Sequence, residues 1–418
     1  MDKARHAGGH LNHTETSTRR DSSVRALFDV HYADYWRLWT VGLVVFVVRW
    51  LETVAVGVFV YQRTGSAFLV AMMAMLRLLP MGILGAFLGA WAERVERRWA
   101  LISIVLLMGA TSLILGVLAA TDRLATWHIA VACFVNGLGW AADNPVRRVM
   151  IGDSVGTDRI GVAMSLDVGA SNATRMAGPA IAGFLLAYFG IEGVFAISVG
   201  LYAIALVAAW TVHCRNGESA TTGSVIARIR DGLHLIRGDD RLVGTLLVTV
   251  IVNIFAWPFT SMIPVVGRDQ LGLGPEGVGV LASMDGVGAF LGALLLAMFV
   301  RPAWYGRIYC WGVLLYMAML TLFGLVADPV SAGAALILTG IGQAGFATMQ
   351  ATLVYQASPP EMRSRILGVL SVCIGSGPLG FIGIGMLADA VGANWATATT
   401  GIAGLVSMAF TRRYWRAI

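Results

Sequence analysis

Residues 66–91 read SAFLVAMMAMLRLLPMGILGAFLGAW, and Arg77 is the single charged residue among them. A helix needs about 20 consecutive apolar residues to cross the hydrocarbon core of a bilayer, and this run has that length. The rest of the chain has the same character, because 57% of its 418 residues are hydrophobic and 13% are charged. Soluble domains carry about 25% charged residues. The composition therefore predicts a membrane protein and excludes soluble enzymes.

Twelve apolar stretches of similar length, this one included, follow each other along the chain. They lack the alternation of apolar and polar residues that is typical of barrel strands, so each is predicted to be a helix. The chain is therefore predicted to be an all-α membrane protein with twelve transmembrane helices. The predicted spans are residues 36–61, 66–91, 100–120, 126–146, 163–189, 193–213, 242–266, 276–300, 305–327, 330–356, 364–388 and 393–411.

The string GAFLGA at residues 85–90 occurs again at residues 288–293. The same shift aligns the Gly-x-Gly of residues 137–139 with that of residues 340–342, and Arg98 with Arg301. Several matches at one offset indicate that a unit of six spans was duplicated. Because six is an even number, both units cross the membrane in the same orientation, so the repeats are parallel. We therefore predict two pseudo-symmetric six-helix bundles. The predicted domains are a disordered polar tail (1–34), the N-terminal bundle (35–213), a linker with an amphipathic helix (214–241), the C-terminal bundle (242–413) and a cytoplasmic C-terminus (414–418).

The basic residues give the predicted orientation. Most of the 30 Lys and Arg residues fall on the face that carries both termini, and Arg147 and Arg148 are counted among them. The opposite face carries Arg63, Arg123 and Arg268. Because loops rich in Lys and Arg stay in the cytoplasm, we predict a multi-pass protein of the plasma membrane of a bacterium-like cell, with both termini cytoplasmic. This placement accounts for the net charge of +6 without a nucleic-acid partner.

Enzyme and cofactor chemistry is not indicated. The four cysteines lie far apart and lack the CxxC spacing of a metal site, so no metal and no cofactor is predicted. The chain also lacks the G-x4-G-K-[ST] string of a nucleotide-hydrolysing transporter. A membrane enzyme would need clustered acid and base groups, but His128 and His213 fall at opposite predicted faces. We therefore expect that the protein is not an enzyme.

A string after the second span is similar to a family signature. Residues 89–98 read GAWAERVERR and resemble the cytoplasmic motif G-x3-D-R-x-G-R-R of the major facilitator superfamily, with Glu93 in place of the Asp and Glu96 in place of the second Gly. The resemblance implies a fold of two six-helix bundles and a latch between them on the cytoplasmic side. A positive-inside anchor is the alternative. The latch residues would be Gly89, Glu93, Arg94, Arg97 and Arg98.

Span 5 holds Gly178-Pro179-Ala-Ile-Ala-Gly183, which resembles the glycine-proline motif of the superfamily's antiporters. Residues 144–148 (NPVRR) and 359–365 (PPEMRSR) further resemble its branch of macrolide and siderophore exporters. The resemblance implies a secondary transporter, a proton antiporter that exports a lipophilic or amphiphilic small molecule. The alternative for span 5 is a packing bend without meaning for transport. One departure is that Cys133 replaces the family's coupling arginine in span 4, so another helix must supply that arginine.

Several ionisable residues fall at membrane depth, where burying one costs at least about 2.5–3.5 kcal/mol and marks a functional candidate. Arg49 and Glu52 stand three residues apart in span 1, a spacing that lets them meet on one helix face. We predict that Glu52 is the main proton carrier, that Arg49 is its gate, and that Asp285 is a second proton site. Arg77 and Arg175 near the middle of spans 2 and 5 complete this set. The alternative is a set of static ion pairs.

In the superfamily, spans 1, 4, 7 and 10 line the transport pathway, so polar and aromatic residues on these spans are candidate cavity walls. Aromatic and amide groups together suit a bulky amphiphilic solute. The alternative is that the amides hydrogen-bond between packed helices. Trp257-Pro258 also predicts a bend in span 7, because proline lacks a backbone donor. The candidates are Asn136, Trp140 and Asn144 in span 4, Asn253 and Trp257 in span 7, and Gln343 and Gln350 in span 10.

Two other functions stay open at this point. Arginines outnumber acids near the midplane of the N-terminal bundle, which favours uptake or facilitated diffusion of an organic anion. A transport-inactive receptor or scaffold on the same fold is the alternative from another class, because fold alone does not establish activity. For a transporter, the predicted partners are a small-molecule substrate, protons and the lipid bilayer, and the expected state is a monomer.

Overall fold

The computed structural model describes residues 32–156, 159–213, 238–359, 363–415 and 418, with side chains described throughout except at 85–94, 363–365 and 367–368. The predicted disordered tail covers residues 1–34, of which 1–31 lie outside the described residues. The amphipathic helix predicted in the linker falls on residues 214–237, which also lie outside them. Both remain predictions.

The N-terminal half begins with four helices that follow each other closely. They are α1 (Ala33–Thr64), α2 (Ala67–Arg94), α3 (Arg97–Ala120) and α4 (Thr126–Val155). A long helix, Ile160–Trp210, follows and is broken at Gly190, where φ is +66°. Only glycine adopts this conformation without strain, so Gly190 divides the long helix into α5 (160–189) and α6 (191–210). The chain passes from one predicted span to the next here without a loop.

The C-terminal half repeats the six-helix arrangement with more irregular backbone. Its first helix, α7, is a composite of Asp240–Ile251, a π-helical turn Val252–Ala256, a 3-10 turn Trp257–Ser261, and Ile263–Asp269. A short 3-10 turn, Pro302–Trp304, leads into α9. The helices after α7 are α8 (Pro275–Phe299), α9 (Tyr305–Leu325), α10 (Pro329–Ala357), α11 (Arg363–Ile374 with Gly377–Val391) and α12 (Ala393–Phe410).

The described residues form twelve helices and no strand, which confirms the predicted all-α class. Within the same residues, nine helical segments are long and apolar enough to cross a membrane, and Ile160–Trp210, counted once, contains two predicted spans. The largest difference from the predicted boundaries is in α4, which continues to Val155, well past the expected end at residue 146. This extension carries Arg147 into the helix instead of a loop.

Side-chain exposure has the pattern of a protein solvated by lipid. Leu113, Ile114 and Val117 on α3 are between 51% and 60% exposed, whereas Glu52 and Asp285 are 2% and 4% exposed. Hydrocarbon solvates apolar side chains and repels charges, so ionisable groups turn toward the protein interior. The charges that the sequence places at membrane depth therefore face the inside of the bundles.

The two halves approach closely where α5 crosses α8. A Cβ atom added to Gly183 would lie 2.9 Å from the Cα atom of Gly279, which leaves no room for a side chain between the backbones. Two turns along α8, a Cβ atom added to Gly286 would lie 2.8 Å from the carbonyl carbon of Arg175. Small residues at helix contacts permit such approach in membranes. This crossing fixes the two helices that carry the charges Arg175 and Asp285.

Hydrogen bonds also join the halves at the outer end, which we define as the end that carries Ser66 and Asp389 and that the sequence predicts to be extracellular. Asp389 on α11 accepts hydrogen bonds from Ser66 Oγ at 2.9 Å and from the backbone N of Phe68 at 3.0 Å. The hydroxyl of Tyr61 on α1 donates to Asp269 on α7. Together these bonds close the outer end between the halves.

Candidate functional site

A cavity of about 410 Å³ lies between the two halves, and helices of both halves line it. Its wall combines apolar and aromatic side chains with a few polar and charged groups, which is the usual make-up of a small-molecule site. Five of the seven predicted wall residues are in this lining. They are Trp140, Asn253, Trp257, Gln343 and Gln350.

The structure corrects the other two predicted wall residues. Asn136 on α4 turns into the N-terminal half, where its Nδ2 donates to Glu52 Oε2 at 2.9 Å. Asn144, two turns further along α4, is not among the residues that line the cavity. Sequence position gives the depth of a residue along a helix, but the face that meets the cavity depends on how the neighbouring helices pack. Conversely, Trp50, Asn172 and Tyr316 line the cavity and were not predicted.

Glu52 lies behind the cavity, inside the N-terminal half. Its Oε1 accepts a hydrogen bond from Ser112 Oγ on α3 at 2.5 Å, and its Oε2 accepts the one from Asn136. A space of about 10 Å³ beside it is lined by Arg49 and Arg77, which also line the cavity. One buried water needs about 10–15 Å³. The space is therefore at the lower limit of the volume that a single water needs.

The cation beside Glu52 is Arg77 on α2. Its Nη2 lies 3.9 Å from Glu52 Oε2. Its Nη1 donates to Thr53 Oγ1 at 2.5 Å and to the backbone carbonyl of Arg49 at 3.1 Å. The predicted pairing of Glu52 with Arg49 is therefore corrected to Arg77. The two residues of α1 are close in sequence, but Glu52 turns toward α3 and α4 while Arg49 turns toward the cavity.

Arg49 is held by aromatic rings. Its guanidinium carbon lies 3.7 Å from the centroid of the Trp140 ring and 5.9 Å from that of Trp50. The negative face of an aromatic ring attracts a cation, and most strongly where water is excluded. The charges of Arg77 and Arg175 also act on Arg49, so three guanidinium groups share this part of the cavity. Among the described residues, no carboxylate lies within ion-pair distance of Arg49.

A second pair of charges crosses between the halves. Arg175 Nη2 on α5 donates to Asp285 Oδ2 on α8 at 2.6 Å and also to Gln343 Oε1 on α10. Asp285 Oδ1 and Arg175 Nε are buried and have no hydrogen-bond partner in the described structure. The structure thus joins three residues that the sequence placed on separate spans. Their contact links the two halves near the middle of the bundle.

The bend predicted at Trp257-Pro258 is present in α7. The π-helical turn Val252–Ala256 is followed directly by the 3-10 turn Trp257–Ser261. Pro258 has no N–H to donate to the carbonyl four residues earlier, which breaks the regular hydrogen-bond ladder. Asn253 and Trp257 both lie in the cavity wall at this irregular segment. Short π-helical turns of this kind occur frequently at functional sites.

The glycine-proline motif packs α5 against helices of both halves. A Cβ atom on Gly178 would lie 2.7 Å from the Cβ atom of Trp50 on α1, and Gly183 meets Gly279 on α8. The helix continues through Pro179 without a break. Close packing at these two contacts explains the glycines at both positions. An antiporter meaning for the motif stays a prediction.

The latch motif is only partly described. Three of its residues fall where the structure does not describe side chains: Gly89, Glu93 and Arg94. Arg97 Nη1 lies 2.5 Å from Asp153 Oδ2 on α4, and Arg98 Nη2 donates to the carbonyl of Trp210 at 2.6 Å. Both of these contacts lie within the N-terminal half. A latch between the halves stays a prediction.

The N-terminal half also contains a buried charge cluster that the sequence did not predict. Arg147, expected in a loop, has 0% exposure inside α4 and pairs with Asp143 at 3.2 Å and with Asp167 on α5. Gly42 on α1 makes the space, because a Cβ atom there would lie 2.5 Å from the guanidinium carbon. Arg148 is half-exposed and lies 3.8 Å from Asp167. The four-residue spacing of Asp143 and Arg147 was the available signal.

Comparison with known proteins identifies the family. Residues 30–415 match a family model whose description is transmembrane secretion effector. The chain belongs to the transmembrane secretion effector family of the major facilitator superfamily. This confirms the resemblance found in the sequence motifs. Members of this superfamily are transporters, so the expectation that the chain is not an enzyme is also confirmed.

The relatives of this transmembrane secretion effector include efflux proteins. Macrolide efflux protein A of Streptococcus pyogenes is 22% identical over 372 residues, which are 86% of this chain and 90% of that protein. Multidrug efflux pump Tap of Mycolicibacterium fortuitum is 24% identical over 344 residues, which are 80% of this chain and 84% of that protein. The chain is accordingly a multi-pass membrane transporter of small molecules that is similar to efflux proteins.

Solved structures agree on the fold. The crystal structure of the nucleoside transporter NupG matches with a TM-score of 0.73 at 11% identity, over 92% of this chain and 99% of that chain. At this identity the likeness concerns the arrangement of the twelve helices and not the substrate.

Proposed function

We propose that this transporter exports a lipophilic or amphiphilic small molecule in exchange for protons, by alternating access of the two halves to the central cavity. Efflux by Macrolide efflux protein A and by multidrug efflux pump Tap supports the direction. The mixture of tryptophans and amides in the cavity wall supports an amphiphilic substrate. In the predicted orientation, the closed outer end belongs to a state that loads substrate from the cytoplasmic side.

The observation that carries the proposal is the position of Arg77, which lines the cavity and lies 3.9 Å from the buried carboxylate of Glu52. Glu52 is the main proton carrier in this proposal. When Glu52 is ionised, it attracts Arg77 and holds it at the wall. When Glu52 binds a proton, that attraction is lost and Arg77 keeps only its bonds to Thr53 and to the Arg49 carbonyl, which favours its movement into the cavity. Proton and substrate therefore compete through the position of one guanidinium group.

Arg49 keeps a gating role in the proposal, but through charge and not through a direct ion pair with Glu52. It stacks on Trp140 and repels Arg77, so it opposes movement of Arg77 into the cavity. Asp285 is the second proton site. A proton on Asp285 would weaken its bond to Arg175, and this bond joins the two halves. Loss of that bond would favour separation of α5 from α8.

The test is transport by the purified full chain in proteoliposomes with an imposed pH gradient. The probes are a macrolide and a fluorescent lipophilic dye, chosen after the relatives. The wild-type protein should move the probe against its concentration gradient in the direction opposite to proton flow. Glu52→Gln should abolish this uphill transport, because a neutral side chain can neither bind nor release the proton that drives it.

Glu276→Gln is the matched control, because Glu276 is an exposed carboxylate at the start of α8. It should keep the uphill transport. If Glu52→Gln transported as well as wild type under the pH gradient, Glu52 would not carry the proton. If the wild-type protein moved neither probe with either sign of gradient while binding them, export would be the wrong function.

Transport of an organic anion is the second candidate, and one observation favours it. Arg49 faces the cavity without a carboxylate within ion-pair distance in the described part of the chain. A substrate with an acidic group would supply that partner. Flux of a lipophilic carboxylate along its own gradient, unchanged by a pH gradient of either sign, would support this candidate against proton-coupled export.

A further inference from the structure

An apolar groove of about 350 Å³ lies on the outside of the C-terminal half, apart from the central cavity. One wall comes from α8 and includes Phe299, which is 62% exposed. The facing wall comes from the 3-10 turn before α9, which includes Trp304, and from α9 itself, which includes Trp311; these two rings are 41% and 68% exposed. In a membrane-spanning bundle such a surface faces acyl chains and not water.

The floor of the groove is the backbone of α10 at Ile341, Gly342 and Gly345. Both walls approach α10 through glycine. A Cβ atom on Gly292 of α8 would lie 3.0 Å from the Cα atom of Ile341, and one on Gly312 of α9 would lie 3.0 Å from the carbonyl oxygen of Gly342. The floor thus carries glycines, which have no side chain, while the walls carry large apolar side chains.

Arginines that have no acidic partner among the described residues stand at one end of the groove. Arg301 follows the α8 wall, and its guanidinium carbon lies 5.4 Å from the centroid of the Trp304 ring. Among the described residues, Arg301 and Arg307 have no carboxylate within ion-pair distance. Residues 286–327 contain no Asp and no Glu. Local sequence therefore offers these arginines no counter-ion.

Arg301 and the arginine that matches it in the first repeat make different contacts. Arg98 occupies the equivalent position in the first repeat, and its guanidinium donates to the carbonyl of Trp210 within its own half. Arg301 lies over Trp304 at the mouth of the groove instead. The N-terminal copy is thus used for internal packing, whereas the C-terminal copy presents its charge to the membrane interface, where tryptophan is also enriched.

We propose that this groove binds one acyl chain of an anionic phospholipid, whose phosphate is held by Arg301 beside Trp304. The occupant is a bilayer lipid and not a transported solute, because the groove opens along the lipid-facing surface of α8 and α9. In the predicted orientation Arg301 is at the cytoplasmic end, so the lipid belongs to the inner leaflet. Arginine at a membrane surface attracts anionic lipid, and the apolar walls retain the chain.

The first experiment uses the full chain in nanodiscs of phosphatidylcholine, with brominated-chain phosphatidylglycerol or brominated-chain phosphatidylcholine added at equal mole fraction. Bromine quenches the fluorescence of nearby tryptophan side chains. The difference in quenching between wild type and Trp311→Phe isolates the fluorescence signal from the groove. We expect half-saturation of this signal at a mole fraction of phosphatidylglycerol about five-fold lower than for phosphatidylcholine. Arg301→Gln should remove that difference between the lipids.

Arg123→Gln is the matched charge control, because Arg123 is exposed at the outer end of the N-terminal half. It should keep the five-fold preference. Equal half-saturation by both lipids in the wild-type protein would overturn the proposal. Equal loss of the preference in Arg123→Gln and Arg301→Gln would also overturn it, since the effect would then come from total charge and not from this site.

A second experiment tests the groove apart from the charge. Leu295→Trp places a large ring in the groove. Leu113→Trp is the control on α3, because Leu113 is 51% exposed and Leu295 is 49% exposed. Native mass spectrometry should find retained phosphatidylglycerol on wild type and on Leu113→Trp, and several-fold less on Leu295→Trp. Equal retention on all three proteins would show that the lipid binds elsewhere.

Discussion

Arg77 Nη2 and Glu52 Oε2 stand 3.9 Å apart, although Arg77 belongs to the cavity wall and Glu52 to the interior of the N-terminal half. The contact is longer than a hydrogen bond, while Ser112 and Asn136 make short ones to the same carboxylate. The carboxylate is thus fixed by neutral donors, and the cation makes its own hydrogen bonds to other acceptors on α1. Four residues on four helices define this unit.

The pair should show energetic coupling in a double-mutant cycle. Glu52→Gln and Arg77→Gln should each lower the free energy of unfolding, because each leaves a buried partner without its counter-charge. The loss in the free energy of unfolding of the double variant should be smaller than the sum of the two single losses, by about 0.5–3 kcal/mol. Unfolding in mixed detergent micelles measures all four proteins. Additive losses would mean that the two side chains do not interact.

The buried cluster around Arg147 should be important for stability. Arg147→Met leaves Asp143 and Asp167 in the interior without a cation, which should cost about 3–5 kcal/mol. Arg148→Met is the neighbouring control, since Arg148 is 50% exposed and should change the free energy of unfolding by no more than about 0.5 kcal/mol. Thermal unfolding in one detergent compares them. Similar midpoints for the two variants would contradict the burial of Arg147.

The crossing of α5 and α8 should tolerate no side chain at Gly183. Gly183→Ala should lower stability by about 1–3 kcal/mol, because the new methyl group overlaps the backbone of Gly279. Gly169→Ala on the same helix has nothing within 4 Å of the added Cβ atom, so it should be neutral or stabilising by up to about 1 kcal/mol. Unfolding midpoints in detergent decide the comparison. Equal shifts of the unfolding midpoint in the two variants would show that the backbones of α5 and α8 do not approach closely at Gly183.

The outer end should open when Asp389 loses its carboxylate. Asp389→Ala removes the acceptor for Ser66 and for the backbone of Phe68, a loss of about 1 kcal/mol that shifts a two-state equilibrium about five-fold. Spin labels at the exposed positions Gln62 and Val391 report the separation of the halves by pulsed electron resonance. A larger population of long distances is expected.

The control for this measurement is an acidic residue that makes no contact between the halves. Glu192→Ala, at an exposed position on α6, should leave the distance distribution between the two labels as in the wild-type protein. An unchanged distribution in Asp389→Ala as well would show that the bonds of Asp389 do not hold the outer end closed.

Much of the fold follows from the sequence because lipid solvation imposes long apolar helices. The twelve spans and the duplication could be located by counting residues, and the structure agrees on the helices. The depth of Glu52, Arg77, Arg175 and Asp285 could be read in the same way, since each helical residue advances by about 1.5 Å. Their contact with the inside of the bundles follows from the cost of charge in hydrocarbon.

Pairing between helices could not be read from the sequence. Arg49 was the expected partner of Glu52 because the two share a helix, yet Arg77 on a different helix takes that place. Arg147 was assigned to a loop because charges end an apolar run, whereas the space at Gly42 and the acid Asp167 lie far away in sequence. Such partners depend on the rotation of packed helices, which spacing along one helix does not determine.

The irregular segment of α7 also bears on how the C-terminal half moves. The backbone hydrogen bonds change from five-residue to three-residue spacing within Val252–Ser261. The two ends of α7 are therefore not parts of one continuous α-helix. Pro264 beyond the segment packs against Gly57 of α1, where an added Cβ atom would lie 3.2 Å from its Cγ. The outer part of α7 therefore packs against the opposite half, whereas its inner part is tied to its own half, where the Thr245 carbonyl accepts from Tyr309 and Thr249 Oγ1 accepts from Gln350. The irregular segment is therefore the joint between a part of α7 held by its own half and a part that contacts the other half.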